Sequence, residues 1–262
     1  MARRPPSRDE GIRRFKGGIQ KVSEVESPVK ILAYSRNKVG KTTFAATAPK
    51  CLIIDIDEEG TRSVKHTKAF VRVVRRWEDI GFAYWYLKAG KHPFQSVAID
   101  TVTAMQEVCM RMVMNEAEDR DPNREHGMPD KRVYGRAGKL MSAQMLAFRN
   151  LPLNVIFLAQ ERVTNDEDTG EAIWHGPDLP NSSRGTLLGC VGVTGRLYKR
   201  EVKVKGRKGN PKFEVRMLVG PHEEFETGDR TRALPHILRN PTIPKIVEAW
   251  DSSPPVDNDE EE

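Results

Sequence analysis

Cysteine is scarce in this chain, and the shortage narrows its chemistry at once. Three cysteines, Cys51, Cys109 and Cys190, stand far apart in 262 residues. An odd, widely spaced set does not make a disulfide framework. Two of the three lie in apolar runs, so they read as buried free thiols of a reducing compartment. No Cys/His group has zinc spacing, and neither G-x-S-x-G nor H-E-x-x-H occurs, which removes serine-elbow hydrolases and zincin proteases. Long apolar runs are missing too. Nothing approaches the roughly 18 residues of a membrane span, and the arginine-rich start has no apolar signal segment. These absences point to a cytoplasmic protein with no membrane partner. No internal repeat is visible.

Charge is plentiful, at 31% of residues, and unevenly placed. The net charge is +6, but residues 251–262 carry six acids and no base, leaving +12 on residues 1–250. A basic body with an acidic tail fits a polyanionic partner that the tail mimics or competes with; solubility alone is the other reading.

The pattern divides the chain into a flexible basic arm (1–27), a folded core (28–250) and a disordered acidic tail (251–262). Strands are expected at 29–34, 51–56, 97–100 and 153–159, and helices at 42–48, from 80, from 102, and over 137–148. Residues 119–136 and 162–186 read as long polar loops. Arg196–Val204 and Lys212–Val219 flank Gly206-Arg207-Lys208-Gly209-Asn210, a hairpin signal, and Pro244 opens a last helix ending near Trp250. The fold class expected is α/β. Its central sheet is mostly parallel, has helices on both faces and is extended by a C-terminal antiparallel hairpin.

Between the first strand and the first core helix lie Ser35, Arg36, Asn37, Lys38, Val39, Gly40, Lys41, Thr42 and Thr43. A phosphate-binding loop needs backbone N–H groups turned inward, a lysine for the outer phosphates and a hydroxyl for magnesium. Gly40, Lys41 and Thr42 supply the second half in the required strand–loop–helix context. Ser35 replaces the usual first glycine. Asp100 ends an apolar strand, the placement of a carboxylate beside a magnesium shell, or else it caps the following helix. Asp55-Ile56-Asp57-Glu58-Glu59 ends the neighbouring strand, and an acid there is placed to activate water; spacing does not choose among Asp57, Glu58 and Glu59. Gln160 tips the last core strand, where it either senses the γ-phosphate or caps the strand.

With these residues in place, the chain resembles RecA-type recombinase cores, and in particular the compact RecA-like ATPases that bacteriophages encode for single-strand annealing and recombination. The resemblance covers about residues 28–250 and is strongest at G-K-T-T-F (40–44), I-I-D-I-D-E (53–58) and Tyr134–Gln160. It implies ATP and Mg2+ as cofactors, with Asp57 or failing that Glu58 as catalytic acid and Gln160 coupling nucleotide state to DNA. It implies two DNA-lining loops, 119–139 and 162–186, carrying Arg132, Tyr134, Arg136, Lys139, Arg162, Trp174 and Arg184. Arg230, or Arg232, would reach a neighbouring subunit's nucleotide. Implied partners are single-stranded DNA and further copies of the chain in a ring or filament. A single-strand-binding protein or host replication factor is a further partner of this class. Independently, basic loops with Tyr134 and Trp174 suit single-strand binding, and Lys203, Lys205, Arg207 and Lys208 form another phosphate-attracting patch. Competing readings are a small-molecule or nucleotide kinase and a DNA-partitioning or switch ATPase.

Overall fold

The computed structural model describes residues 7–21, 28–56, 60–121, 123, 125–202 and 212–252. Asp57, Glu58, Glu59, Arg124, the hairpin tip at 203–211 and the tail from residue 253 lie outside them.

The apolar runs form the centre of the sheet. β1 (Lys30–Ser35), β2 (Cys51–Ile56) and β4 (Ser96–Asp100) are buried almost throughout. Strands covered on both faces need no polar alternation. β3 (Phe70–Val74) is an edge strand, β5 (Asn154–Asn165) a long one, and β6 (Ala172–Pro177) turns back on it. β7 (Val193–Val202), β8 (Lys212–Leu218), β9 (Gly228–Asp229) and β10 (Ile237–Arg239) complete the set. The order is β10-β8-β7-β1-β5-β4-β2-β3, with β6 on β5 and β9 on β7. From β7 to β3 neighbours run parallel, whereas β8 and β10 are antiparallel. This is the expected α/β sheet with an antiparallel extension.

Helices cover both faces. α3 (Trp77–Lys88), α4 (Val102–Arg120), α5 (Lys131–Arg149) and α6 (Asn181–Cys190) enclose a core holding Leu32, Tyr34, Ile54, Met105, Met141 and Phe148. The short α2 (Lys41–Ala45) and α7 (Ile243–Asp251) belong to the other core, with Ile31, Ala33, Ile53, Phe44, Ile243 and Ile246. Successive β1 residues alternate between the two cores, as the period of a pleated strand requires. Cys51, Cys109 and Cys190 are buried free thiols. Among the described residues no helix is long and apolar enough to cross a membrane.

Three segments differ from the sequence expectation. The arm contains α1 (Arg8–Gly17), none of it buried. Ser7 and Glu10 form a reciprocal capping box, which satisfies the first backbone donors without any tertiary contact. The first long loop ends early, because Asp130 caps α5 by accepting from Val133 N at 2.8 Å. Val133 and Ala137, four apart, anchor the added turn in the core. The second loop is a β5–β6 hairpin followed by α6. Asp166 Oδ1 accepts from the backbone of Asp168 and Thr169, and Gly170 at φ 71° completes the reversal.

Candidate nucleotide site

β1 stops at buried Ser35, and the chain then makes a tight loop before α2. Gly40, at φ 121°, occupies backbone space that a side chain would strain. The turn brings Lys41 inward, only 7% exposed. Its ammonium donates to Ser35 O at 3.2 Å, to Arg36 O at 3.4 Å and to Gln160 Oε1 at 2.7 Å.

Gln160 reaches Lys41 because β5 lies between β1 and β4. Ser35 is level with Gln160, while Asp100 on β4 is level with Leu158. Asp100, 2% exposed, accepts from Thr42 Oγ1 at 2.6 Å. A hydroxyl and a carboxylate are the oxygen donors Mg2+ prefers, so the pair fits that ion. Gly60 opens a 3-10 turn (Gly60–Val64) against this pair; a Cβ on it would meet Thr42 Oγ1 at 3.2 Å. The candidate acids Asp57, Glu58 and Glu59 are the three residues before Gly60 in the sequence and lie outside the described residues.

Asp55, which precedes the acids that the sequence pattern puts forward, lies near the end of β2. It is 1% exposed and level with Asp100 on the adjacent strand. The signal was present: C-L-I-I-D and S-V-A-I-D both end an apolar strand on aspartate.

A cavity of about 770 Å3 extends from the loop residues Asn37 to Thr43 to a second end made by Phe44, Thr47, Val215, Asn240, Pro241 and Thr242. That volume suits a small-molecule ligand. Arg62 and Lys199 also line it, and Lys199 Nζ donates to Lys38 O at 2.8 Å. Lys199, Val215 and Asn240 come from β7, β8 and the β10–α7 junction. No local pattern could have associated them with the loop.

A family model described as an AAA domain matches residues 27–231. The chain belongs to the AAA domain family. With its phosphate loop, it is a P-loop ATPase domain. A solved structure described as the RadB recombinase is similar over 73% of this chain and 80% of that one, at 14% identity and a TM-score of 0.40. No curated protein matches the sequence.

The AAA domain gathers several of the expected DNA-facing side chains outside the nucleotide cavity. Arg132, Tyr134, Arg136 and Lys139 sit on α5 rather than in a loop, with Arg136 ion-paired to Glu116. Arg162 is exposed on β5. Arg184 on α6 places its guanidinium 4.3 Å from the centre of the Trp174 ring on β6, and Trp174 Nε1 donates to Glu226. α5 and α6 are in direct contact, with Ser142 Oγ and Thr186 Oγ1 3.1 Å apart. At the base of the hairpin, Glu161 is enclosed by His175 Nδ1 at 2.9 Å and Arg196 Nε at 2.9 Å. Arg230 lies elsewhere. It is exposed, donates to Gly189 O at 3.2 Å, and is not among the residues lining its own chain's nucleotide cavity.

Proposed function

We propose that this AAA domain is an ATP-dependent single-stranded-DNA-binding protein of recombination or annealing, with a RecA-like core and a homo-oligomeric working form. The observation that carries the reading is the position of Gln160. It holds the phosphate-loop lysine, and its own strand continues past Glu161 into the hairpin that carries Arg162 and, on β6, Trp174. Gln160 and the basic Arg162 therefore share one strand, and the aromatic Trp174 lies on the strand paired with it. Basic side chains attract the phosphate backbone, and aromatic faces stack on bases without regard to sequence.

In this reading Lys41 leaves part of its carbonyl cage to bind the outer phosphates, and the loop's backbone N–H groups receive the rest. Thr42 and Asp100 would hold Mg2+, which would supply positive charge to offset that of the transferring phosphate. Asp57 or Glu58 orients water and accepts its proton. Gln160 reports the γ-phosphate to the hairpin. Arg230, distant from its own site, serves a neighbour's nucleotide.

The deciding experiment is steady-state ATP hydrolysis with and without a single-stranded oligonucleotide. Stimulation of tenfold or more is expected. Unchanged turnover with DNA, or turnover that requires a small phosphate-accepting substrate, would replace this reading with a kinase.

A further inference from the structure

A second cavity, of about 450 Å3, lies at the end of β1 remote from the phosphate loop. Lys30, Arg149 and Arg230 line it, and no carboxylate does. Their described hydrogen bonds go to neutral acceptors. Lys30 Nζ donates to Leu151 O and Leu153 O, Arg149 to Asn150 Oδ1 and Arg230 to Gly189 O. Lys30 bears the strain of this grouping: burial, and then the charge of Arg149, lower its pKa to about 8. Asp229, the nearby acid, is committed to its own turn. Its carboxylate accepts from Trp250 Nε1, Thr231 and the Leu234 N–H.

Three cations around one cavity form a site for a carboxylate-rich ligand, because the half-buried Lys30 and the neighbouring Arg149 and Arg230 repel one another and gain from an opposite charge between them. The sequence that follows the cavity wall supplies one. Trp250 lines the cavity, and α7 ends one residue later at Asp251. The sequence beyond runs Ser252-Ser253-Pro254-Pro255-Val256-Asp257-Asn258-Asp259-Glu260-Glu261-Glu262, with five acids and no base. These acids lie six to eleven positions beyond Asp251. At about 3.3 Å per residue that span exceeds a cavity roughly 10 Å across.

We propose that the Lys30–Arg149–Arg230 cavity is the docking site of the chain's own acidic terminus, residues 257–262. Tethering at so short a distance gives an effective concentration in the millimolar range, enough to fill a site of modest affinity. A docked tail covers Arg230. On the reading of Arg230 given above, docking and subunit assembly therefore compete; the docking itself does not depend on that reading, nor on ATP or DNA.

The test uses a fluorescent peptide of sequence VDNDEEE and the full chain. In one form the five tail acids Asp257, Asp259, Glu260, Glu261 and Glu262 are replaced by Asn and Gln. Anisotropy should show the peptide binding the neutralised chain at least tenfold more tightly than the native chain. The affinity should fall with salt and fall further in Arg149→Ala and Arg230→Glu versions of the neutralised chain. Arg230 is exposed, so that variant should fold, as circular dichroism would verify. Equal binding to native and neutralised chains would overturn the proposal, as would no binding to the neutralised chain or binding indifferent to Arg149 and Arg230. Dilution of the native chain separates the tail's own site from a neighbour's. Protection that persists at nanomolar protein supports docking within one chain, and protection lost on dilution refutes it.

Discussion

The ammonium of Lys41 and the amide oxygen of Gln160 are 2.7 Å apart, although the two residues sit on different elements. This contact joins the phosphate loop to the tip of β5. Lys41→Ala should abolish nucleotide binding in a folded protein, since the ammonium of Lys41 supplies the charge of the loop while its hydrogen bonds to Ser35, Arg36 and Gln160 lie within the site itself. Gln160→Ala should retain ATP binding within about tenfold, the scale of one hydrogen bond to a charged group at ~1.5 kcal/mol. It should also lose the effect of ATP on DNA affinity. Filter binding of oligonucleotide with and without nucleotide reads both. An ATP effect that survives Gln160→Ala would separate the glutamine from coupling.

The Thr42–Asp100 pair separates binding from chemistry. Asp100→Asn should still bind ATP, with hydrolysis falling about a hundredfold and the Mg2+ requirement shifting to higher concentration. Asp57→Asn and Glu58→Gln should identify the water-activating acid: whichever carries it binds ATP normally and turns over at least about a hundredfold more slowly. If both turn over at the native rate, the acid is elsewhere, and Glu59 and Asp55 are the next to replace.

Lys30 gives a pH signature. Its folded value of about 8 lies below the ordinary 10.5. Between those values the unfolded chain binds more protons than the folded one, so this residue's contribution to stability rises with pH. The penalty for a buried charge is complete below pH 8 and gone above about 10.5. Lys30→Met removes it. The melting-temperature difference between Lys30→Met and the parent should therefore move in favour of the parent as pH climbs through that window. The measurement belongs in the tail-neutralised chain, because a docked carboxylate would restore the lysine's charge.

Trp174 and Arg184 should act together on DNA. With the guanidinium stacked on the indole, Trp174→Ala should weaken oligonucleotide binding about tenfold, within the ~1–3 kcal/mol range of base–aromatic stacking. Arg184→Ala should weaken it less and make the log–log salt dependence shallower by about one unit. Intrinsic fluorescence that does not change on DNA addition would remove Trp174 from the contact surface.

The fold was legible where apolar runs coincided with strand length, as in β1, β2 and β4. The phosphate loop was legible because its residues are contiguous. β3 escaped notice because, as an edge strand, it buries only Val74 and offers no continuous apolar run. The α5 start was hidden by its composition. Lys131, Arg132 and Arg136 resemble a polar loop, and only the cap at Asp130 and the spacing of Val133 and Ala137 reveal the helix. The far end of the nucleotide cavity was invisible in principle, since Val215 and Asn240 reach it through strand pairing late in the chain. Asp55 is a different case. It lies on β2 level with Asp100, whereas Asp57 to Glu59 follow the strand and lie outside the described residues.

β5 belongs to two ladders at once. Residues 154–160 pair with β1 and β4 in the parallel core, and residues 161–165 pair with β6 in an antiparallel ribbon. Protection against amide hydrogen exchange should therefore be graded along a single strand. The 154–160 amides can exchange only when the whole domain opens, and those at 164 and 165 when the ribbon merely frays. The ribbon has no independent melting point at its base, because opening Glu161 means disturbing the residue beside Gln160. Motion of the hairpin should be concentrated in its outer half, with the half adjoining Gln160 protected nearly as well as the core.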